Sequence, residues 1–114
     1  MKFQSVAIFV LLSLSVSVFS DAARTGGWTP IANIKDPYVT EIAQFSLTEH
    51  GKQSGEKLSL GEVISGESQV VAGTNYRLVL AAKDESAATK NYEAQVWDKP
   101  FAHFRNLTSF KPLN

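Results

Sequence analysis

From Asn75 to Ala82 the chain alternates. Tyr76, Leu78, Leu80 and Ala82 point one way, and Asn75, Arg77, Val79 and Ala81 the other. A period of two puts one set on a buried face, so this stretch reads as a half-buried strand that commits the domain to a sheet with a covered face. Lys57 to Ser68, just before it, reads as extended, and Gln69-Val70-Val71-Ala72-Gly73 then forms the tip of a hairpin. Gly73 can take the positive φ that a tight turn requires. Hairpin turns ordinarily carry Asn, Asp, Gly or Ser, yet this one holds Val-Val-Ala. Two readings follow. Either a partner covers these apolar residues, or Val70 and Val71 are the last core residues of their strand.

The cover for the sheet lies upstream. Asp36-Pro37 is a helix start, with Asp to cap free N–H groups and Pro at the first helical position. Val39, Ile42, Ala43, Ser46, Leu47 and His50 then share one face, with Phe45 beside them. Gly51 is placed to end the helix, which predicts one amphipathic helix over 37–50. His50 suits the last turn, where the helix dipole favours it. Lys52 to Lys57 reads as a polar turn. Leu58, Leu60, Val63 and Ile64 supply the next strand, with Gly61 as a bulge. Lys83 to Lys90 reads as a connection and Asn91 to Trp97 as a strand. Asp98-Lys99-Pro100 reads as a turn in which Pro100 ends pairing. Phe101 to Phe110 reads as the last strand, with Phe104, Leu107 and Phe110 toward the core. Trp28 and Ile31 anchor a first strand. Short turns imply antiparallel pairing, so the fold class is α+β: one long helix packed across an antiparallel sheet of about five strands.

The N-terminus is set aside from the fold. Lys2 is a basic start, Val6 to Phe19 is an apolar run too short to span a membrane comfortably, and small residues follow at Ser20, Ala22 and Ala23. This reads as a secretory signal peptide over residues 1–22, cleaved after Ser20 or Ala22, with a domain over 23–114. The 114 residues include no Cys, so a secreted domain would be held without disulfides. Eleven basic residues balance eleven acidic ones, and no clustered basic patch suggests nucleic acid or an acidic membrane surface. His50 and His103 are the only histidines and no metal or nucleophile spacing accompanies them, so the inventory gives no case for an enzyme, a metal or a cofactor.

Three further features stand out. Gly26-Gly27 makes the start of the domain slender, either as a frayed tail or as an arm that can slide along another protein's cleft. Trp97 stands next to a turn on the face opposite Tyr92, Ala94 and Val96, either as an interface anchor or packed on its own hairpin. Asn106-Leu107-Thr108 is an N-glycosylation sequon open to any chain entering the secretory route, although a strand interior favours an unmodified Asn106.

Across residues 23–114 the chain resembles the plant cystatins. The resemblance rests on Gly26-Gly27, on Gln69-Val70-Val71-Ala72-Gly73 as the Q-x-V-x-G motif, on Trp97, and on Ile42-Ala43-Gln44-Phe45-Ser46-Leu47 beside the family's L-A-R-F-A-V helix motif. Lys99-Pro100-Phe101 and Phe110-Lys111-Pro112 also resemble family positions. The chain departs from the pattern at Gln44, where Arg is usual, and at Gly51, where Asn often follows. The resemblance implies a reversible, competitive inhibitor of papain-like cysteine proteases, endogenous or from a herbivore or pathogen. Gly26, Gly27, Gln69, Val70, Val71, Ala72, Gly73 and Trp97 would line up as one wedge that fills the protease cleft. It also implies a secreted monomer in plant defence, with apoplast and vacuole both open, and no legumain inhibition by a chain ending at Asn114. The alternative is a non-inhibitory protein- or ligand-binding module on the same scaffold.

Overall fold

The computed structural model describes residues 27–113. The leader expected over 1–22, its cleavage site and Gly26 lie outside the described residues. Within them the order is β1 (Thr29–Pro30), α1 (Pro37–Ser54), β2 (Ser59–Val71), β3 (Gly73–Lys83), β4 (Thr89–Lys99) and β5 (Phe104–Leu113). The five strands form one sheet in sequence order, antiparallel at every step. The expected α+β arrangement is what forms: one helix lies across one face of that sheet.

The helix starts where the sequence places it. Asp36 caps it, its Oδ1 accepting from the Tyr38 N–H at 2.8 Å, with Pro37 in the first turn. It ends later than expected. Gly51 remains helical, and Gly55 provides the left-handed cap at φ 80°, its N–H donating to the Gly51 carbonyl at 2.8 Å. The residues read as a polar turn therefore begin as the last turn of the helix. Ser54 Oγ donates to the His50 carbonyl at 2.7 Å, and His50 Nε2 lies 2.8 Å from Glu56 Oε1. His50 also stacks on Phe110 at 4.0 Å between ring centroids, tying this end of the helix to β5.

The core lies between helix and sheet. Val39, Ile42, Ala43 and Leu47 of α1 meet Leu78, Leu80 and Ala82 of β3 and Tyr92, Ala94 and Val96 of β4. Burying each large aliphatic side chain here is worth about 1.5–3 kcal/mol. Ser46 is fully buried, and its hydroxyl donates to the Ala43 carbonyl at 2.6 Å, which removes the penalty of an unmade bond.

The strands depart from expectation in β2, β4 and β5. β4 runs from Thr89 to Lys99, so Asp98 and Lys99, expected in a turn, are its last residues, kept in the ladder by pairing with Arg105 and Phe104. In β2 the register slips at Leu60/Glu62, where Gly61 forms the expected bulge, and again at Val63/Ser65 around Ile64, which is left 42% exposed. The last strand begins at Phe104 rather than Phe101, because Pro100–Ala102 forms a 3-10 turn and His103 takes a left-handed φ of 51°. Leu107 and Phe110 pack on the core as expected, but Phe104 does not. Phe104 and Leu107 are an odd number of residues apart, so regular pleating places them on opposite faces. An extra residue between the Gln95–Ser109 and Val96–Leu107 pairs then brings Phe110 back inward.

Candidate functional site

The first tip is as short as the strand pairing permits. Val71 pairs with Gly73 and only Ala72 stands between β2 and β3. The second tip, Pro100 to His103, joins β4 to β5. The two tips are neighbours because β3 pairs with β4 up to Thr74 opposite Asp98. Val70 is 75% exposed, Val71 41%, Phe101 74% and Phe104 37%. Among the described residues these are four of the five large apolar side chains left exposed, the fifth being Ile64. They gather at one end of the sheet instead of scattering over it, which marks that end as a contact surface.

The arm joins the same end. Thr29 pairs with Ser68 and Pro30 with Glu67, antiparallel, so Trp28 and Gly27 continue along β2 toward the first tip. Trp28 is held there by the Arg77 guanidinium, 4.2 Å above its ring, and Arg77 Nε donates to Glu67 at 2.9 Å. Gly27 lies just beyond Trp28 on this path. Gln69 lies at the base of the tip, where the Asn75 side-chain amide donates to its Oε1 at 3.1 Å.

Trp97 faces away from the helix, as the alternation predicts, but it is not at a tip. It lies within β4, half-buried, and its indole N–H donates to the Ala72 carbonyl at 2.8 Å. Phe104 meets its ring edge-on at 5.5 Å, and the Lys99 ammonium sits 4.4 Å from its centroid. Trp97 thus braces the first tip against the second. The exposed aromatic at the second tip is Phe101, which the sequence reading assigned to a strand. The signal that could have found it is the one used for Val70 and Val71: an apolar side chain where turn chemistry calls for a polar one.

Behind the tips lies a charged cluster. Asp98, 2% exposed, accepts from Arg105 Nε at 2.8 Å and from the Tyr38 hydroxyl. Arg105 also donates to Tyr38 Oη at 3.1 Å and reaches Glu41 at 3.0 Å. Burial, and then the bond to Asp98, raises the Tyr38 pKa. Burial alone would lower that of Arg105, but its bonds to Asp98, Glu41 and Tyr38 outweigh this and raise it. The cluster fastens the stem of the second tip to the start of the helix, and removing Arg105 would leave the buried Asp98 carboxylate without its cation, which would be costly.

Chemically, this end presents a largely apolar edge held in place by the sheet. Among the described residues no three His, Cys, Asp or Glu side chains are grouped as metal ligands would be.

Comparison with known proteins agrees with this fold. A family profile described as "Aspartic acid proteinase inhibitor" matches residues 31–113. "Cysteine proteinase inhibitor 5" of Arabidopsis thaliana is 53% identical over 96% of this chain and 93% of its own. Among solved structures, the salivary cystatin of the soft tick Ornithodoros moubata superposes with a TM-score of 0.69 at 20% identity, over 78% of this chain and 98% of the tick protein. The squash aspartic acid proteinase inhibitor gives a TM-score of 0.60 at 30% identity, over 77% of this chain and 94% of the squash protein.

Proposed function

The chain belongs to the plant cystatins, a family of proteinase inhibitors, and from that premise we propose that it inhibits papain-like cysteine proteases reversibly and in competition with substrate. One observation carries the reading: the exposed large apolar side chains concentrate on two adjacent, mutually braced tips with the N-terminal arm running toward them. In the proposed complex Val70, Val71 and Ala72 enter the cleft near the catalytic cysteine. Phe101 covers one side, and the arm through Gly26-Gly27 runs along the other. Trp97 keeps the tips in register. Because a sheet already holds both tips, docking sacrifices little conformational entropy. Residues 1–22 act as a secretory leader, and the mature chain works outside the cytosol as a monomer.

The test is a titration of active papain with residues 23–114, followed with a fluorogenic peptide, beside a parallel titration of pepsin. A stoichiometric fall in papain activity, with the inhibitor recovered uncleaved, is the expected result. A fall in pepsin activity alone would transfer the function to aspartic proteinases, the class named for the matched profile and the squash structure. No effect on either enzyme from a folded chain would favour a non-inhibitory binding module. Replacing Phe101 with Ala should weaken papain binding by about 1–4 kcal/mol.

A further inference from the structure

One face of β5 carries, just behind the second tip, a sequon that the proposed inhibitory contact does not use. Phe104 and Asn106 lie opposite Lys99 and Trp97, and both are exposed. Being two residues apart, they stand on the same face, the one away from the helix. Thr108, also exposed, follows at the bulge, and its hydroxyl donates to the Gln95 carbonyl at 3.1 Å. Among the described residues β5 is the last strand of the sheet, with no further strand on its outer edge.

Asn106-Leu107-Thr108 is a sequon, and Phe104 precedes its asparagine by two positions. We propose that Asn106 carries an N-linked glycan and that Phe104 is the platform on which its first sugar packs. A strand interior argues for an unmodified residue, but Asn106 is exposed on an edge strand, so a glycan there projects into solvent; the Lys99 ammonium, 4.7 Å from the Phe104 centroid, leaves the opposite side of that ring for the sugar. The Phe104 ring meets Trp97 edge-on and is 37% exposed. Its open surface is rich in π electrons and attracts the electron-poor C–H bonds of a sugar ring. The glycan would sit two residue pairs behind the second tip, on the order of 7 Å by strand rise. It would flank Phe101 rather than cover it.

The attachment is a group transfer in the secretory route. The Asn106 amide nitrogen forms a bond to the anomeric carbon of a lipid-pyrophosphate-linked oligosaccharide. The carbon–oxygen bond to pyrophosphate breaks, the lipid pyrophosphate leaves with the electron pair, and the amide nitrogen releases one proton. Nothing is oxidised or reduced. The proposal rests on the secretory reading of the leader.

The experiment uses the full chain, secreted from eukaryotic cells that keep their glycans in the high-mannose form. The secreted protein is expected to exceed the peptide mass by one glycan, mapped to Asn106 and absent from Asn106→Gln. Trimmed to a single N-acetylglucosamine, it should still melt about 4 °C above Asn106→Gln. That increment should vanish in a Phe104→Thr background and persist in Phe104→Tyr. A secreted chain at peptide mass, or a chain that stays in the cell unmodified, overturns the site. An increment of equal size in the wild-type and Phe104→Thr backgrounds overturns the platform; if Phe104→Thr does not fold, no increment in the trimmed wild type or Phe104→Tyr does the same.

Discussion

Gly73 is where backbone conformation and tip packing meet. Its φ is +85°, and a Cβ there would fall well inside contact distance of the Asp98 carbonyl and Lys99 Cγ. Gly55 makes an internal control: its φ is +80°, but nothing lies within 4 Å of its absent Cβ. Gly55→Ala should therefore lose only the left-handed preference, about 1–2 kcal/mol. Gly73→Ala should lose that and about 1–3 kcal/mol more, as backbone has to move. Because that movement parts the two tips, papain inhibition should weaken with it, whereas Gly55→Ala should inhibit normally. Urea midpoints and inhibition constants for the pair decide this, and equal stability losses would show that the tips do not press on each other. The need for a glycine at position 73 is legible in the sequence as a turn requirement. Its second constraint is not, because that comes from β4, whose approach depends on a pairing register that spacing alone does not give.

The two hairpins act as one element, and Trp97 is the test of it. Trp97→Phe keeps an aromatic ring against Phe104 and Lys99 but removes the indole bond to Ala72. A neutral hydrogen bond contributes about 0.5–1.5 kcal/mol net. If its role is to order the first tip, inhibition should weaken about two- to tenfold. Val71→Ala and Trp97→Phe should then be coupled in a double-mutant cycle, whereas Phe101→Ala and Trp97→Phe should be close to additive. Rate measurements on the papain complexes supply these values. A loss for Trp97→Phe as large as for Phe101→Ala, with no coupling to Val71, would mean that Trp97 contacts the protease itself. The element order, the helix start, the Gly61 bulge and the outward face of Trp97 are all legible, because each follows from local periodicity or a capping residue. The helix end and the start of β5 are not. Gly51 resembles a stop, but the helix is carried past it by bonds among His50, Ser54 and Glu56. Phe101 resembles a strand residue, but a 3-10 turn and a left-handed His103 hold it in the second tip.

At the scale of the whole molecule, core and site share their fastenings, so conditions that loosen one should loosen the other. All three tyrosines, Tyr38, Tyr76 and Tyr92, pack on the core or against the cluster around Asp98. Burial is the leading reason why each has a raised pKa, with Asp98 adding to it for Tyr38 and Tyr76, and Glu56 for Tyr92. The sign follows directly. Above about pH 10 the unfolded chain loses tyrosine protons that the folded chain keeps, so stability falls as pH rises through the folded values, and it is fully present below the unfolded ones. Asp84 works the other way on the acid side. Its pKa is lowered by bonds from the Ser86 side chain and the Ala88 N–H, so its small contribution disappears as pH falls below the usual carboxylate range. Between these limits the urea midpoint should be nearly level, and above pH 10 it should drop. Tyr92→Phe should keep the ring stacked on Phe110, 5.3 Å away in the wild type, and should soften the alkaline fall without lowering the midpoint at neutral pH. Papain inhibition, assayed at neutral pH after brief exposure to pH 11, should return in full if the loss is reversible unfolding. Urea midpoints at pH 8 and pH 11 for the wild type and Tyr92→Phe are the deciding measurements, and parallel falls in the two would place the alkaline sensitivity outside Tyr92.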